Sequence, residues 1–257
     1  KHREIRARAT LLASGGYQGN PEMMTHYMGE RAAHIRPVAR GGYYNKGEGI
    51  RMALSAGAAP AGDFGSYHAE PVDPRSRQPE AVVHIYPYGI LVNKRGLRFV
   101  NEGPGMVDAW YDPITRTIAD QPDGISWVIF DAKVEDIPNR KTSIRSDVPP
   151  YEAQTLEALV AMLGDVGLAP ATLETIAAFN RACPPETGEF KPFELDHRAT
   201  RGLALEKSHW CRPIERAPFR AYPIISANCF TFGGLKVNTH AQVLDNDGKV
   251  MSGLYAA

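Results

Sequence analysis

Cysteine is scarce: Cys183, Cys211 and Cys229 are the three in 257 residues, widely spaced and without a Cys-x-x-Cys pair. That excludes a disulfide framework or a zinc knuckle and leads us to expect a reducing, cytoplasmic setting. No uninterrupted apolar run approaches the roughly 20 residues needed to cross a bilayer. The opening Lys1-His-Arg-Glu-Ile-Arg6 is too charged to be the core of a signal peptide. Neither sign of charge is in excess, with 29 lysines and arginines against 29 aspartates and glutamates. No broad positive field is therefore present to hold a nucleic-acid backbone or an anionic membrane, and no nucleic-acid partner is expected. His2, His26, His34, His197, His209 and His240 show no metal-ligand spacing, so no metal is expected, and no Gly-x-Ser-x-Gly elbow marks a hydrolase. What is present, 43% hydrophobic and 23% charged residues, is ordinary for a core-forming protein of one large or two small domains.

Residues 5–13 alternate and then run apolar into Ser14-Gly-Gly16, which predicts a strand ending in a tight turn where backbone can approach a ligand. Asn20-Pro21 predicts a helix start, and residues 47–57 carry a helical stripe at Ile50, Ala53, Leu54 and Gly57. From Asp63 to about Tyr222 prolines and aromatics become frequent and strand-like runs, Tyr88–Asn93 and Ile125–Phe130, mix with helices predicted at 155–163 and 172–180. From Ile224 onward glycine-punctuated strands return, with Asn246-Asp-Gly248 predicting a hairpin turn between 241–245 and 253–255. The order predicts an α+β chain in which a mixed α/β domain, 63–225, is inserted between two segments, 1–62 and 226–257, of another domain.

Five ordered blocks then carry a resemblance: Ala13-Ser-Gly-Gly-Tyr-Gln-Gly-Asn20, Lys46-Gly-Glu-Gly-Ile-Arg-Met-Ala53, residues 89–102 (Gly-Ile-Leu-Val-Asn-Lys-Arg-Gly-Leu-Arg-Phe-Val-Asn-Glu), Thr231-Phe-Gly-Gly-Leu-Lys-Val237 and Gly253-Leu-Tyr-Ala-Ala257. In order, they resemble the signature blocks of the fumarate reductase and succinate dehydrogenase flavoprotein superfamily. Tyr67-His-Ala-Glu-Pro-Val-Asp-Pro74, Tyr86-Pro-Tyr-Gly-Ile90 and the Thr-Phe-Gly-Gly form look most similar to tricarballylate dehydrogenases and to the flavoprotein half of the precorrin-3B-forming proteins. The resemblance implies that 1–62 and 226–257 are parts of an FAD-binding domain and that 63–225 is its capping, substrate-binding domain. It implies FAD as cofactor, a small di- or tricarboxylic acid as substrate, and an iron–sulfur or haem protein as redox partner, at the inner face of a membrane where that partner is membrane-bound. The family's Gly-x-Gly-x-x-Gly turn, which sets FAD phosphates at a helix N-terminus, is not in this sequence, nor is the family's continuation past Leu-Tyr-Ala-Ala. The expectation is an internal fragment that by itself holds no FAD, does no chemistry, and associates into dimers through surfaces its parent buries.

Residue by residue, the resemblance implies that Ala13, Ser14, Gly15 and Gly16 approach the flavin through their backbone. Read without it, they are a glycine turn ending a strand. Glu48 matches the family's cofactor-binding aspartate and would accept from ribityl hydroxyls; alternatively it is a loop carboxylate favoured by a helix dipole. His68 matches a histidine that hydrogen-bonds a substrate carboxylate, the alternative being a satisfied structural histidine. His84 and Tyr86 stand where dicarboxylate reductases carry a threonine, a glutamate and an arginine, which implies a different acid or a different clamp; Arg75 and Arg77 are nearby cations. The proton-delivering arginine expected soon after Asn101-Glu102 is missing, none occurring before Arg116, which leaves Asp108 and Tyr111 as candidate bases or as surface groups. Arg98 and Glu102 are read as a structural salt bridge. Thr231, Gly233 and Gly234 match the flavin-contacting block, and Phe230 replaces a histidine that many members place before it.

Overall fold

The computed structural model describes residues 4–186 and 189–257; His2 and the start of the charged N-terminal run lie outside the described residues. In chain order the elements are β1 (Thr10–Leu12), α1 (Pro21–Met28), β2 (Arg36–Pro37), α2 (Glu48–Ser55), β3 (Pro60–Ala61), β4 (Tyr67–Val72), β5 (Ile90–Asn93), α3 (Val107–Ile118) and β6 (Ile125–Phe130). They continue as α4 (Arg140–Ser143), β7 (Tyr151–Ala153), α5 (Leu156–Gly164), α6 (Thr172–Ala182), β8 (Phe219–Thr231), β9 (Gly234–Leu235), β10 (Gln242–Leu244) and β11 (Val250–Ala256). The chain divides into two compact units, residues 1–68 with 228–257 and residues 69–227. The fold class is the mixed α+β arrangement that the order of strand and helix signals predicts.

In the first unit, β1 pairs in parallel with β11, which pairs antiparallel with β10, while β3 and β9 form a separate two-stranded ribbon. The hairpin at 245–249 is fixed by Asp245, whose carboxylate accepts from the N–H groups of Asp247 and Lys249, both at 2.9 Å, with Gly248 at φ +80°. α1 starts where Asn20 and Pro21 predict: the side-chain Oδ1 of Asn20 accepts from Glu22 N at 3.1 Å and Met23 N at 3.2 Å, satisfying two of the free N–H groups of the first turn. α2 buries Gly49, Ile50 and Ala53, and Ala53 joins Ala58 and Val243 in a small core.

In the second unit, β8 is flanked by β6 and β7, and β5 continues the sheet beyond β6, all antiparallel. Side chains on these strands alternate between two cores. Leu91, Val128, Phe130, Tyr222 and Ile224 pack with Ile114 and Ile118 of α3. Ile90, Val92, Trp127, Ile129 and Ala221 pack with Leu159 and Leu163 of α5 and Ile176 and Phe179 of α6. Burial on both faces explains why Ile125–Phe130 is an apolar run instead of an alternation. Arg98 and Glu102 form the expected bridge, a two-pronged one at 2.8 and 2.6 Å, and Glu102 also accepts from Leu91 N at 3.0 Å, so the pair pins the loop after β5 to that strand.

Candidate active site

The first unit contains a cavity of about 440 Å³, within the size range of small-molecule sites, lined by the turn after β1, the start of α2, residues 230–237 and the end of β11. Ser14, Gly15, Gly16, Thr231, Gly233 and Gly234 all line it. Ala13 and Glu48 do not: Ala13 is exposed before the turn, and the Glu48 side chain is exposed in the first turn of α2, beside Arg51, Met52 and Ser55, while its neighbours Gly49 and Ile50 line the cavity. No lining residue is charged. Gly16, Gly49 and Gly233 are required by what surrounds them. A β-carbon at Gly16 would overlap the Thr231 hydroxyl, one at Gly49 would overlap the Ser14 hydroxyl, and one at Gly233 would fall into the Phe64 ring. At Gly234 a β-carbon meets no atom within 4 Å.

Thr231 is the joint of this wall, its Oγ1 accepting from Tyr17 N at 3.3 Å. It is buried between Phe230 and Phe232, which are exposed and lie 5.9 Å apart, so the strand alternates phenyl, hydroxyl, phenyl. The Tyr17 hydroxyl donates to Phe64 O; burial, with Tyr27 and Asp63 close by, pushes its ionisation above the usual phenol range. His68, the last residue of the unit's first segment, stacks on Phe230 with ring centres 5.0 Å apart and planes 2° apart, which sets its ring against a residue of the cavity wall.

His84 and Tyr86 lie in the second unit. Residues 81–83 run beside residues 71–73, with Val83 N donating to Pro71 O at 2.8 Å, and His84 N donates to Ser143 O at 2.7 Å. Thus anchored, His84 places Nε2 3.0 Å from Glu70 Oε2, both side chains about one-fifth exposed. Tyr111 meets the His84 ring at 5.3 Å and 62°, and the Tyr86 hydroxyl is buried without a partner. Burial, then the charge of Glu70, then Tyr111, push the ionisation of Tyr86 far above the usual phenol range. Asp112, one residue past Tyr111, accepts from Ala69 N at 2.7 Å and pairs with Arg116 at 2.9 Å. Arg75 is held by Asp73 at 2.8 and 3.0 Å under the Tyr151 ring, a structural clamp. Sequence reasoning missed Glu70. A carboxylate within a strand whose neighbours Ala69 and Pro71 are buried was the available signal.

An uncharged, glycine-walled cavity whose polar atoms are hydroxyls and main-chain groups suits a flat heteroaromatic ring approached closely by backbone. The comparisons agree with that chemistry. An NADH:acrylate oxidoreductase of Vibrio harveyi is 32% identical over 96% of this chain and 23% of its own length. A probable fumarate reductase of Shewanella frigidimarina is 28% identical over 98% of the chain and 39% of its own length. The chain thus spans between about a quarter and about half of the curated relatives it matches first. Among solved structures, the open conformation of a flavocytochrome c3 fumarate reductase shares the fold at a TM-score of 0.70 with 22% identity, covering 98% of this chain and 41% of that one. The profile of the FAD binding domain family matches residues 1–257, and the chain belongs to that family of flavoprotein oxidoreductases, with fumarate reductases among its homologues.

Proposed function

We propose that this chain is part of an FAD-dependent oxidoreductase that adds hydrogen to, or removes it from, a carbon–carbon bond beside a carboxylate in a small di- or tricarboxylic acid, in the manner of a tricarballylate dehydrogenase. The observation that carries the reading is the neutral cavity walled by Ser14, Gly15, Gly16, Thr231, Gly233 and Gly234. These residues would hold FAD through main-chain groups and two hydroxyls, and Glu48 would accept from hydroxyls of the cofactor's sugar-like chain. Bound there, FAD supplies a two-electron acceptor or donor. His68 donates to a substrate carboxylate, with Phe230 fixing its ring plane. His84 and Tyr86 serve the proton side of the reaction. Electrons pass between the flavoprotein and an iron–sulfur or haem protein. A flavoprotein of precorrin-3B synthesis is the alternative with the same cofactor. Anaerobic mixing of the flavin-loaded enzyme with tricarballylate should bleach the oxidised flavin, with fumarate added to the reduced enzyme as the control for the reverse direction; no bleaching by any saturated and no reoxidation by any unsaturated di- or tricarboxylate sinks the reading.

A second reading is favoured by one observation, the two exposed phenyl rings of Phe230 and Phe232 flanking Thr231. They suit a cyclic, largely apolar ketone, the kind of substrate named for the 3-oxosteroid 1-dehydrogenases among the relatives. A rise in thermal midpoint on adding a 3-oxosteroid, with none on adding tricarballylate, would favour it.

A further inference from the structure

We infer that Glu70 is a positioning residue that fixes His84 as the proton acceptor of the substrate reaction, an assignment that rests on the carbon–carbon redox reading above. Three observations carry it. First, the Glu70–His84 contact, 3.0 Å from Oε2 to Nε2, stands beside an otherwise apolar core built from Val83, Ile85, Tyr86, Leu91 and Ile114. Setting a carboxylate and an imidazole there costs desolvation that well-packed hydrocarbon would not, and such pairs are weak evidence of stability. Second, both side chains keep about one-fifth of their surface open, so the ring is reachable while its orientation is fixed from behind. Third, the other nearby ionisable groups are unsuited to the role. The Tyr86 hydroxyl is buried without a partner and its anion is disfavoured by burial and by Glu70, so it stays a neutral phenol. Tyr111 meets the imidazole ring to ring at 5.3 Å, and Asp112 is committed to Ala69 N and Arg116. Glu70 from β4 and Tyr111 from α3 meet the His84 side chain directly, while Asp112 and Arg116 on α3 pair with each other at 2.9 Å.

The proton arithmetic is simple. Glu70 accepts the Nε2–H, which leaves the lone pair of the neutral ring on Nδ1. In the oxidising direction a C–H bond next to the substrate carboxylate breaks and its proton forms a bond to Nδ1. Its electron pair becomes the new carbon–carbon π bond as the adjacent carbon gives up a hydride, for which a bound FAD would be the two-electron acceptor. The resulting imidazolium faces the Glu70 carboxylate. In the reducing direction Nδ1–H returns the proton. Glu70 therefore serves twice, choosing the tautomer and stabilising the protonated ring, as a carboxylate behind a general base does elsewhere.

The test uses the flavin-loaded enzyme with Glu70→Gln and His84→Gln. Imidazole nitrogen NMR should show His84 protonated at Nε2 in the wild type, with that preference lost in E70Q. His84→Gln should lower kcat by about 10²–10⁴-fold with KM little changed, the range for loss of a general base. Glu70→Gln should lower kcat by at least ~10-fold, because the ring is no longer held in the reactive tautomer. A wild-type His84 protonated at Nδ1, or a kcat in E70Q within about two-fold of the wild type, overturns the assignment. Absence of turnover with every acid tried would instead count against the carbon–carbon reading, and the nitrogen spectrum, which needs no substrate, would still decide for or against Glu70.

Discussion

Gly16 and Gly234 line the same cavity for opposite reasons, and the difference makes them a matched pair of probes. A methyl group at Gly16 drives into the Thr231 hydroxyl, so Gly16→Ala should lower both the thermal midpoint and the affinity for FAD. At Gly234 the methyl enters open space, so Gly234→Ala should leave the midpoint of the cofactor-free protein unchanged and weaken FAD binding alone, as read by fluorescence titration. Equal FAD affinity in G234A and wild type would remove that stretch of wall from the cofactor site. His209 offers a residue-scale handle on stability. Burial, reinforced by His197 and opposed by Asp196, holds its pKa below the ordinary imidazole value, and its Nδ1 accepts from His197 N at 3.0 Å, which a protonated ring cannot do. The ring is neutral in the fold, so its contribution is fully present above the unfolded-state pKa of about 6.5 and is lost as pH falls through the lower folded-state value. The thermal midpoint of the wild type should drop more between about pH 7 and pH 5 than that of His209→Asn; parallel curves would show that His209 does not matter.

Among the elements, those with a local cause were legible. Asn20-Pro21 marks α1 because a side-chain oxygen caps free N–H groups, and Thr155, accepting from Ala158 N at 3.1 Å, opens α5 in the same way. Asn20→Ala should therefore cost about 1 kcal/mol by chemical denaturation, and more where the Asn20 bond to Lys46 O at 2.8 Å also matters. A loss indistinguishable from zero would mean that water caps the helix equally well. α3 and β8 were not legible, and for related reasons. Pro113 sits inside α3 and Pro223 inside the 13-residue β8, opposite Trp127, where a missing N–H argues locally against both elements. Packing of Ile114 and Ile118 and pairing with β6 outweigh it. The cavity wall was legible in part, because glycines at a strand end have few other uses, while Ala13 and Glu48 lie off it. The Glu70–His84 contact was not, since 14 residues of sequence separate its members and only the fold joins them.

At the scale of the whole molecule, the two units differ in what binding should do to them. Hydrogen exchange in the absence of cofactor should be slowest in β6, which is paired on both edges and buried on both faces. Adding FAD should slow exchange at residues 10–16, 49–50 and 231–237 of the first unit by mass action, with β6 as the internal reference. Protection confined to other segments would relocate the cofactor. The covering of both sides of the β5–β6–β8 sheet has a longer-range consequence. A strand without a wet side offers drift no tolerant positions, so a deep mutational scan should find 126–130 accepting little beyond apolar exchanges of similar volume. Novelty in such a lineage is steered toward connecting segments and the outer backs of helices, where side chains can change while the scaffold stays as it is.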